Sequence, residues 1–161
     1  MGMTPLIKNN IPFFLLILAV ILAFVIKGNR SRGEMLTRYF ILLPVGVGAL
    51  WICYLHLFEP IQAALYWGWP DSPFQIDVGM ANLGIGVAGV WGFWKGKEFI
   101  QAVIVVVSGF LWGLALHHIG EILFFSPYPP VNTVSILIGT LILPMALWFG
   151  YHLWGREEER P

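Results

Sequence analysis

Five long apolar segments constrain the fold of this chain more than any other feature of its sequence. A helix needs about 20 predominantly apolar residues to cross a hydrocarbon core about 30 Å thick. The segments are close to that length and are separated by short polar or proline-containing breaks; they cover residues 11–26, 39–58, 73–94, 99–125 and 133–154. We therefore predict an all-α integral membrane protein with five transmembrane helices in a single domain.

The composition agrees with this prediction and excludes several classes of function. Hydrophobic residues make up 58% of the 161 residues and charged residues only 11%, whereas soluble domains carry about 25% charged residues. A soluble enzyme, a nucleic-acid-binding protein and a disordered tail are excluded on this basis. The single cysteine, Cys53, rules out an internal disulfide and a cysteine-based zinc finger.

The breaks between the segments suggest how the helices are arranged. Residues 60–69 follow a proline, are too short to cross and end in aromatic residues that favour the headgroup region, so we predict an interfacial half-helix there. Ser72, Pro73 and Gln75 have the pattern of a helix start, with a hydroxyl cap followed by a proline and an amide. Segments 2 to 5 are predicted to form a four-helix core, with the first segment at its periphery.

The basic residues predict the orientation in the membrane. Positively charged loops stay on the cytoplasmic side, and eight of the nine lysines and arginines fall on one side of the five alternating spans. Only Lys8 falls on the other side. We predict a multi-pass protein of the plasma membrane, with its N-terminus extracytoplasmic and its C-terminus cytoplasmic.

Six ionisable residues lie near the predicted outer ends of segments 2, 3 and 4: His56, Glu59, Asp77, His117, His118 and Glu121. Such residues are costly inside a membrane and often mark function. At about 100° per residue, Glu59 shares a helix face with His56, and Glu121 shares one with His117 and His118. These side chains are predicted to form one polar site. The alternative for each is a water-facing residue at headgroup level, and for Asp77 a purely structural role.

Three chemistries fit such a set of imidazoles and carboxylates. All six residues together have the ligand types of zinc, iron or manganese. His56 and His117 could instead be the axial ligands of a haem. In the third, the carboxylates and histidines relay protons.

An internal similarity bears on the haem alternative. Residues 48–56 and 109–117 are identical at one Gly, two Leu, one Trp and the final His. If the two strings form a parallel repeat, His56 and His117 lie at one depth in the membrane.

Small residues of the third segment are predicted to mediate close helix packing. Asp77 shares a helical stripe with Ala81, Gly84, Ala88 and Gly92, a spacing typical of helices that pack backbone to backbone in membranes. Asp77 is therefore expected to point into the bundle, and Gly84 and Ala88 to tolerate no large side chain.

The fourth segment has a comparable feature. Gly113 and Gly120 flank the side of the helix that carries His117 and Glu121. Because glycine lets backbones approach closely, another helix is expected to pack near this side.

The third segment also carries a family resemblance. Residues 75–86, QIDVGMANLGIG, resemble the block acid-x-Gly-x-Ala-Asn-Leu of a group of uncharacterised small membrane proteins that are broadly DoxX-like. Gly113 and His117 match the same group, whereas Asp77 stands where its members usually carry glutamate. The resemblance implies a compact bundle with four core helices; for DoxX itself it implies association with a quinone-linked respiratory system.

These observations predict a membrane protein with a His/carboxylate site open to the extracytoplasmic side, which binds a transition metal or relays protons. The alternative is a non-catalytic accessory or assembly subunit of a membrane redox or transport complex. A transporter is a third option, disfavoured by the small number of helices. Expected partners are membrane lipids and either further copies of the chain or a larger membrane complex, without nucleic acid. The pattern leaves enzymatic activity open.

Overall fold

The computed structural model describes residues 10–26, 29–67, 70, 72–125 and 133–159, and across these residues it contains helices and no β-strand. The prediction of an all-α fold is therefore confirmed. The six helices of the described ranges are α1 (Ile11–Val25), α2 (Arg32–Phe58), α3 (Pro60–Trp67), α4 (Phe74–Gly92), α5 (Lys97–Gly120) and α6 (Thr133–Glu158). The short helix α3 lies where the half-helix was predicted, at residues 60–69.

Two of the helices are long and apolar enough to cross a membrane. They are α2, with 27 residues, and the 28-residue stretch Lys97–Phe124, in which α5 continues into the π-helical segment Glu121–Phe125. The apolar helix α1 is shorter, with 15 residues. Among the described residues, two of the five predicted spans are thus supported by helix length and apolar composition.

Helix α2 begins seven residues before the predicted start at residue 39. The Ser31 side chain accepts a hydrogen bond from the Glu34 backbone N–H at 3.2 Å and caps the first turn. The prediction from hydropathy does not include this turn, because the turn contains charged residues. Further along, Pro44 lies inside a π-helical segment, Ile41–Val47. Proline lacks the N–H that an α-helix needs there, and the wider turn accommodates that loss.

Helices α2 and α4 cross at glycines. A Cβ atom on Gly89 would lie 2.7 Å from the Gly46 Cα, and one on Gly86 would lie 3.0 Å from the Leu50 backbone nitrogen. The backbones are therefore in contact, as close packing of small residues in membrane helices allows. The buried face of α4 carries Gly79, Gly86 and Gly89.

The predicted stripe on this helix is corrected at Asp77 and Gly84, whereas Ala88 packs against the core and Gly92 is buried. Asp77 is exposed, and a Cβ on Gly84 would meet no atom of the described residues within 4 Å. Asp77 is two positions along the helix from Gln75 and from Gly79 of the buried face, a rotation of about 200°. Small residues occur on both faces of α4, and the buried face is the one whose Gly89 contacts Gly46 of α2.

The expected close approach beside His117 is not observed either. A Cβ added to Gly113 or to Gly120 would meet no atom within 4 Å among the described residues. No described residue therefore packs closely against these two glycines.

The solid apolar core occupies one half of the bundle. It joins the first half of α2, the first half of α5 and the last part of α6 through fully buried side chains that include Ile41, Ile100, Ile104 and Leu147. Helix α1 adds Ala19 and Ala23 and packs along α2. Its large side chains on the other face are exposed, in keeping with the predicted peripheral position.

Buried Arg38 holds the α4–α5 turn against this core. Its Nη1 donates to the Phe93 carbonyl at 2.6 Å and to the Lys95 carbonyl at 3.0 Å. Its Nε pairs with the Glu34 carboxylate at 2.7 Å, and its guanidinium lies over the Trp154 ring, 5.2 Å from the centroid. Arg38 therefore satisfies the carbonyls that a helix end leaves without partners.

Candidate functional site

A cavity of about 990 Å³ opens in the other half of the bundle, among α1, α2, α4, α5 and α6. Its volume is at the upper end of the range for ligand pockets, about 300–1,000 Å³. Along α2 it extends from Pro44 to His56, which at 1.5 Å per residue is about 18 Å. The cavity is therefore long enough to hold a chain-like molecule parallel to the helices.

Most of the cavity wall is apolar. Helix α2 contributes Val45, Ala49 and Ile52, and the facing helices contribute Ile85 of α4 and Leu111 of α5. Among the described residues that line it there is no Asp, Glu, Lys or Arg. This part of the cavity favours hydrocarbon over water or ions.

Polar side chains gather at one end of the cavity. This is where α2 and α5 end and α1 and α4 begin, so residues far apart in sequence meet there. The polar residues lining this end are Asn10, His56, Ser72, Gln75 and His117. Asn82 lies deeper, and its side-chain nitrogen donates to the Val78 carbonyl of its own helix at 2.9 Å. The cavity is thus amphipathic along its length.

His56 and Gln75 form the buried centre of the polar end. The two side chains are 1% and 4% exposed, and the His56 Nδ1 and the Gln75 Oε1 are joined by a short hydrogen bond. An amide oxygen can only accept, so the imidazole donates from Nδ1. The Gln75 Nε2, also buried, has no hydrogen-bond partner among the described residues. Ser72 was expected to cap α4, with Gln75 at the third helical position; instead Pro73 is the N-cap residue, no side-chain cap forms among the described residues, and the Gln75 amide turns inward to His56.

His117, His118 and Glu121 form a second polar group beside the cavity. The Glu121 carboxylate lies 3.6 Å from the His117 Nε2 and 3.4 Å from the His118 Nδ1. The His117 side chain lines the cavity and is 55% exposed, the Glu121 side chain is 37% exposed, and that of His118 is only 2% exposed. One carboxylate therefore connects an exposed imidazole with a buried one.

The other two predicted site residues, Glu59 and Asp77, are not among the residues that line the cavity. Glu59, at the end of α2, accepts a hydrogen bond from the Tyr54 hydroxyl at 3.3 Å. Asp77 is exposed on the outer face of α4. Within the described ranges, no three His, Cys, Asp or Glu side chains are grouped so that they could hold a metal ion. Of the six residues expected to form one site, His56 and His117 line the cavity, and Glu121 contacts His117 and His118.

Two amides, Gln75 and Asn82, line the cavity although they were not among the predicted site residues. They share the buried face of α4 with Gly79, Gly86 and Gly89. A signal was present in the sequence, because two amides seven residues apart lie on one face of a helix. A neutral amide is less costly in a membrane than an ionisable group, so the cost of burial did not single these residues out.

Comparison with known proteins places the chain in a family. A family model described as a family of unknown function, DUF6790, matches residues 9–160. The chain belongs to the DUF6790 family. No curated protein and no solved structure shows a significant match to it. The expected membership of an uncharacterised family is confirmed, and no comparison links the chain to the DoxX-like proteins.

Proposed function

We propose that this member of the DUF6790 family is a multi-pass membrane protein that binds a lipid-soluble molecule in its interhelical cavity. The observation that carries the proposal is the amphipathic cavity itself, with apolar walls about 18 Å long and the His56–Gln75 pair at one end. Such a site suits a molecule with an extended hydrocarbon body and one small polar group. The absence of charged residues among the described lining favours a molecule without net charge.

The surface of the bundle supports a location in a membrane. Large apolar side chains are exposed on all five long helices, for example Phe24, Trp91, Val106 and Phe149, each more than half exposed. Soluble monomers rarely present contiguous apolar patches beyond a few hundred Å². With the basic residues on the inner side, the polar end of the cavity faces the extracytoplasmic side of the plasma membrane.

Filling the cavity tests the proposal. Ala49 lines the apolar wall, so Ala49→Phe places a ring where the hydrocarbon body would lie. Ala81→Phe is the matched control, because Ala81 is exposed and outside the cavity lining. Both variants and the parent are extracted from the membrane in native nanodiscs, and the bound lipids are identified by mass spectrometry against protein-free nanodiscs.

We expect one apolar species to be enriched near 1:1 with the parent and with Ala81→Phe, and to be lost from Ala49→Phe. If no species is enriched with the parent protein over bulk lipid, the cavity is not a binding site and the proposal fails. Equal enrichment in Ala49→Phe would mean that the molecule binds elsewhere on the surface.

A proton relay is the second candidate, favoured by the contacts of one carboxylate with two histidines. Glu121 lies within 3.6 Å of both imidazoles, which connects an exposed group with a buried one. Intramembrane chains of this kind carry protons in pumps and transporters. In proteoliposomes with an internal pH dye, Glu121→Gln should slow proton entry, whereas Glu98→Gln, an exposed change at the opposite end of α5, should not. Equal rates in the two variants would contradict the relay.

The other predicted roles remain untested. A haem held by His56 and His117 stays a prediction; both histidines line the cavity. The transition-metal role and the role of an accessory or assembly subunit, in a homo-oligomer or a larger complex, also stay predictions. Spectroscopy and metal analysis of the purified protein test the first two.

A further inference from the structure

We infer that the cavity selects molecules that carry a terminal carbonyl group, and that the Gln75 side chain donates the hydrogen bond that recognises it. This inference rests on the proposed function and specifies the class of its ligand: a neutral long-chain carbonyl compound, such as a ketone, an ester or another molecule with a carbonyl at one end.

The inference begins from the hydrogen bonding of the Gln75 amide. Its oxygen is engaged by His56 Nδ1, while its nitrogen is buried without a partner among the described residues. A buried amide N–H that lacks an acceptor is strongly disfavoured, and native proteins rarely leave one. Gln75 is one of the residues that line the cavity, so a bound molecule that displaces the neighbouring side chains slightly can supply the acceptor.

The Gln75 nitrogen determines which chemical group can bind to it. An amide nitrogen donates and does not accept, so the matching group on the molecule is an acceptor. A carboxylate would need compensation for its charge in an apolar site, and the described lining includes no Lys or Arg. A carbonyl oxygen meets both conditions.

The position of Gln75 determines where on the bound molecule the carbonyl must lie. It stands in the first turn of α4, at the polar end of the cavity, and the wall continues deeper past Val78 and Ile85. At Asn82, about 10 Å further along the helix, the side-chain nitrogen already donates to the Val78 carbonyl. The hydrocarbon body therefore extends from the carbonyl towards the apolar end, which places the carbonyl at a terminus of the molecule.

The experiment compares two probes that differ only in this group. Pentadecan-2-one, labelled with ¹³C at its carbonyl, and pentadecane are titrated into the protein in nanodiscs, with empty nanodiscs as the reference for partition into lipid. We expect the ketone to bind about two- to tenfold more tightly than the alkane, the contribution of one hydrogen bond. The infrared band of the bound carbonyl should lie below its position in alkane solvent.

Variants then assign the donor. Gln75→Met keeps the approximate volume but removes the N–H groups, and it should abolish both the preference for the ketone and the shift of the band. Gln62→Met, at an exposed position of α3, is the matched control and should retain both. The comparison of the two probes on the parent protein tests the inference even where Gln75→Met does not fold.

The outcomes separate the inference from the proposed function. If the ketone and the alkane bind the parent equally, or if the preference persists in Gln75→Met, the inference is wrong and the cavity still binds apolar molecules. If neither probe binds above the level of empty nanodiscs, the proposed function fails with it.

Discussion

The close approach between Gly89 of α4 and Gly46 of α2 gives a sharp test of the fold. In Gly89→Ala the added Cβ would lie 2.7 Å from the Gly46 Cα and nitrogen and 2.9 Å from the Ile41 carbonyl oxygen. All three atoms belong to the backbone, so no side chain can rotate away. The two helices must separate for the methyl group to fit.

The size of the effect follows from that separation. Ordinary van der Waals contact begins near 3.4 Å, so the backbones must move apart by more than half an ångström. A gap of this size forfeits about a quarter to a half of the attraction between facing atoms, and overpacking typically costs about 1–3 kcal/mol. The control is Gly84→Ala on the same helix, where a Cβ meets no atom within 4 Å in the part of the chain that the structure describes. Both variants gain the same helix propensity, so their difference isolates the steric cost.

The single cysteine supplies the assay. Cys53 is buried, 6% exposed, so a thiol-reactive fluorophore reports unfolding during a thermal ramp. At roughly 2–4 °C per kcal/mol for a chain of this size, Gly89→Ala should melt about 2–12 °C below Gly84→Ala. Equal melting temperatures would refute the described crossing and return the glycine stripe of Gly84 to consideration.

Two further predictions concern the end of the bundle opposite the polar end of the cavity and the predicted orientation in a membrane. Arg38→Leu leaves the Phe93 and Lys95 carbonyls without their donor and should lower the free energy of unfolding by at least about 1.5 kcal/mol. The control is Arg30→Leu, which removes the ion pair of an exposed arginine with Glu34 at 3.4 Å and should change the free energy of unfolding by less than about 0.5 kcal/mol. The same thermal assay compares both variants with the parent. In intact cells, a cysteine placed at position 30 should resist a membrane-impermeant maleimide and one at position 70 should react; labelling at position 30 from outside would reverse the orientation.

Local signals in the sequence were sufficient to locate the helices. The apolar segment beginning at residue 11 became Ile11–Val25, and residues 73–94 became Phe74–Gly92. Helix ends follow from prolines, caps and composition, which act over a few residues. The start of α2 at Arg32 differs from the prediction because the first turns of this helix carry charged residues. Arg38 is buried there with partners that include two carbonyls more than 50 residues away in the chain.

The contact between His117, His118 and Glu121 could also be predicted from the sequence. These residues are three and four positions apart on one helix, and that spacing alone brings them together. The contact of Glu59 with Tyr54 is similarly local. Spacing along one helix does not determine which side chains from another helix meet them, so the six-residue site remained an assumption about tertiary structure.

Only the tertiary structure decided which face of α4 is buried. The glycines on its two faces, Gly84 on one and Gly86 and Gly89 on the other, are equivalent to any rule that reads α4 alone. The choice depends on Gly46 of α2, where the backbones meet, and it turns Gln75 inward to His56 while leaving Asp77 exposed. The sequence by itself determined an apolar, all-helical chain with polar groups at one end, because those properties are local. The cavity and its amide donor arise from the rotation and spacing of several helices, which are set by contacts between residues far apart in the chain.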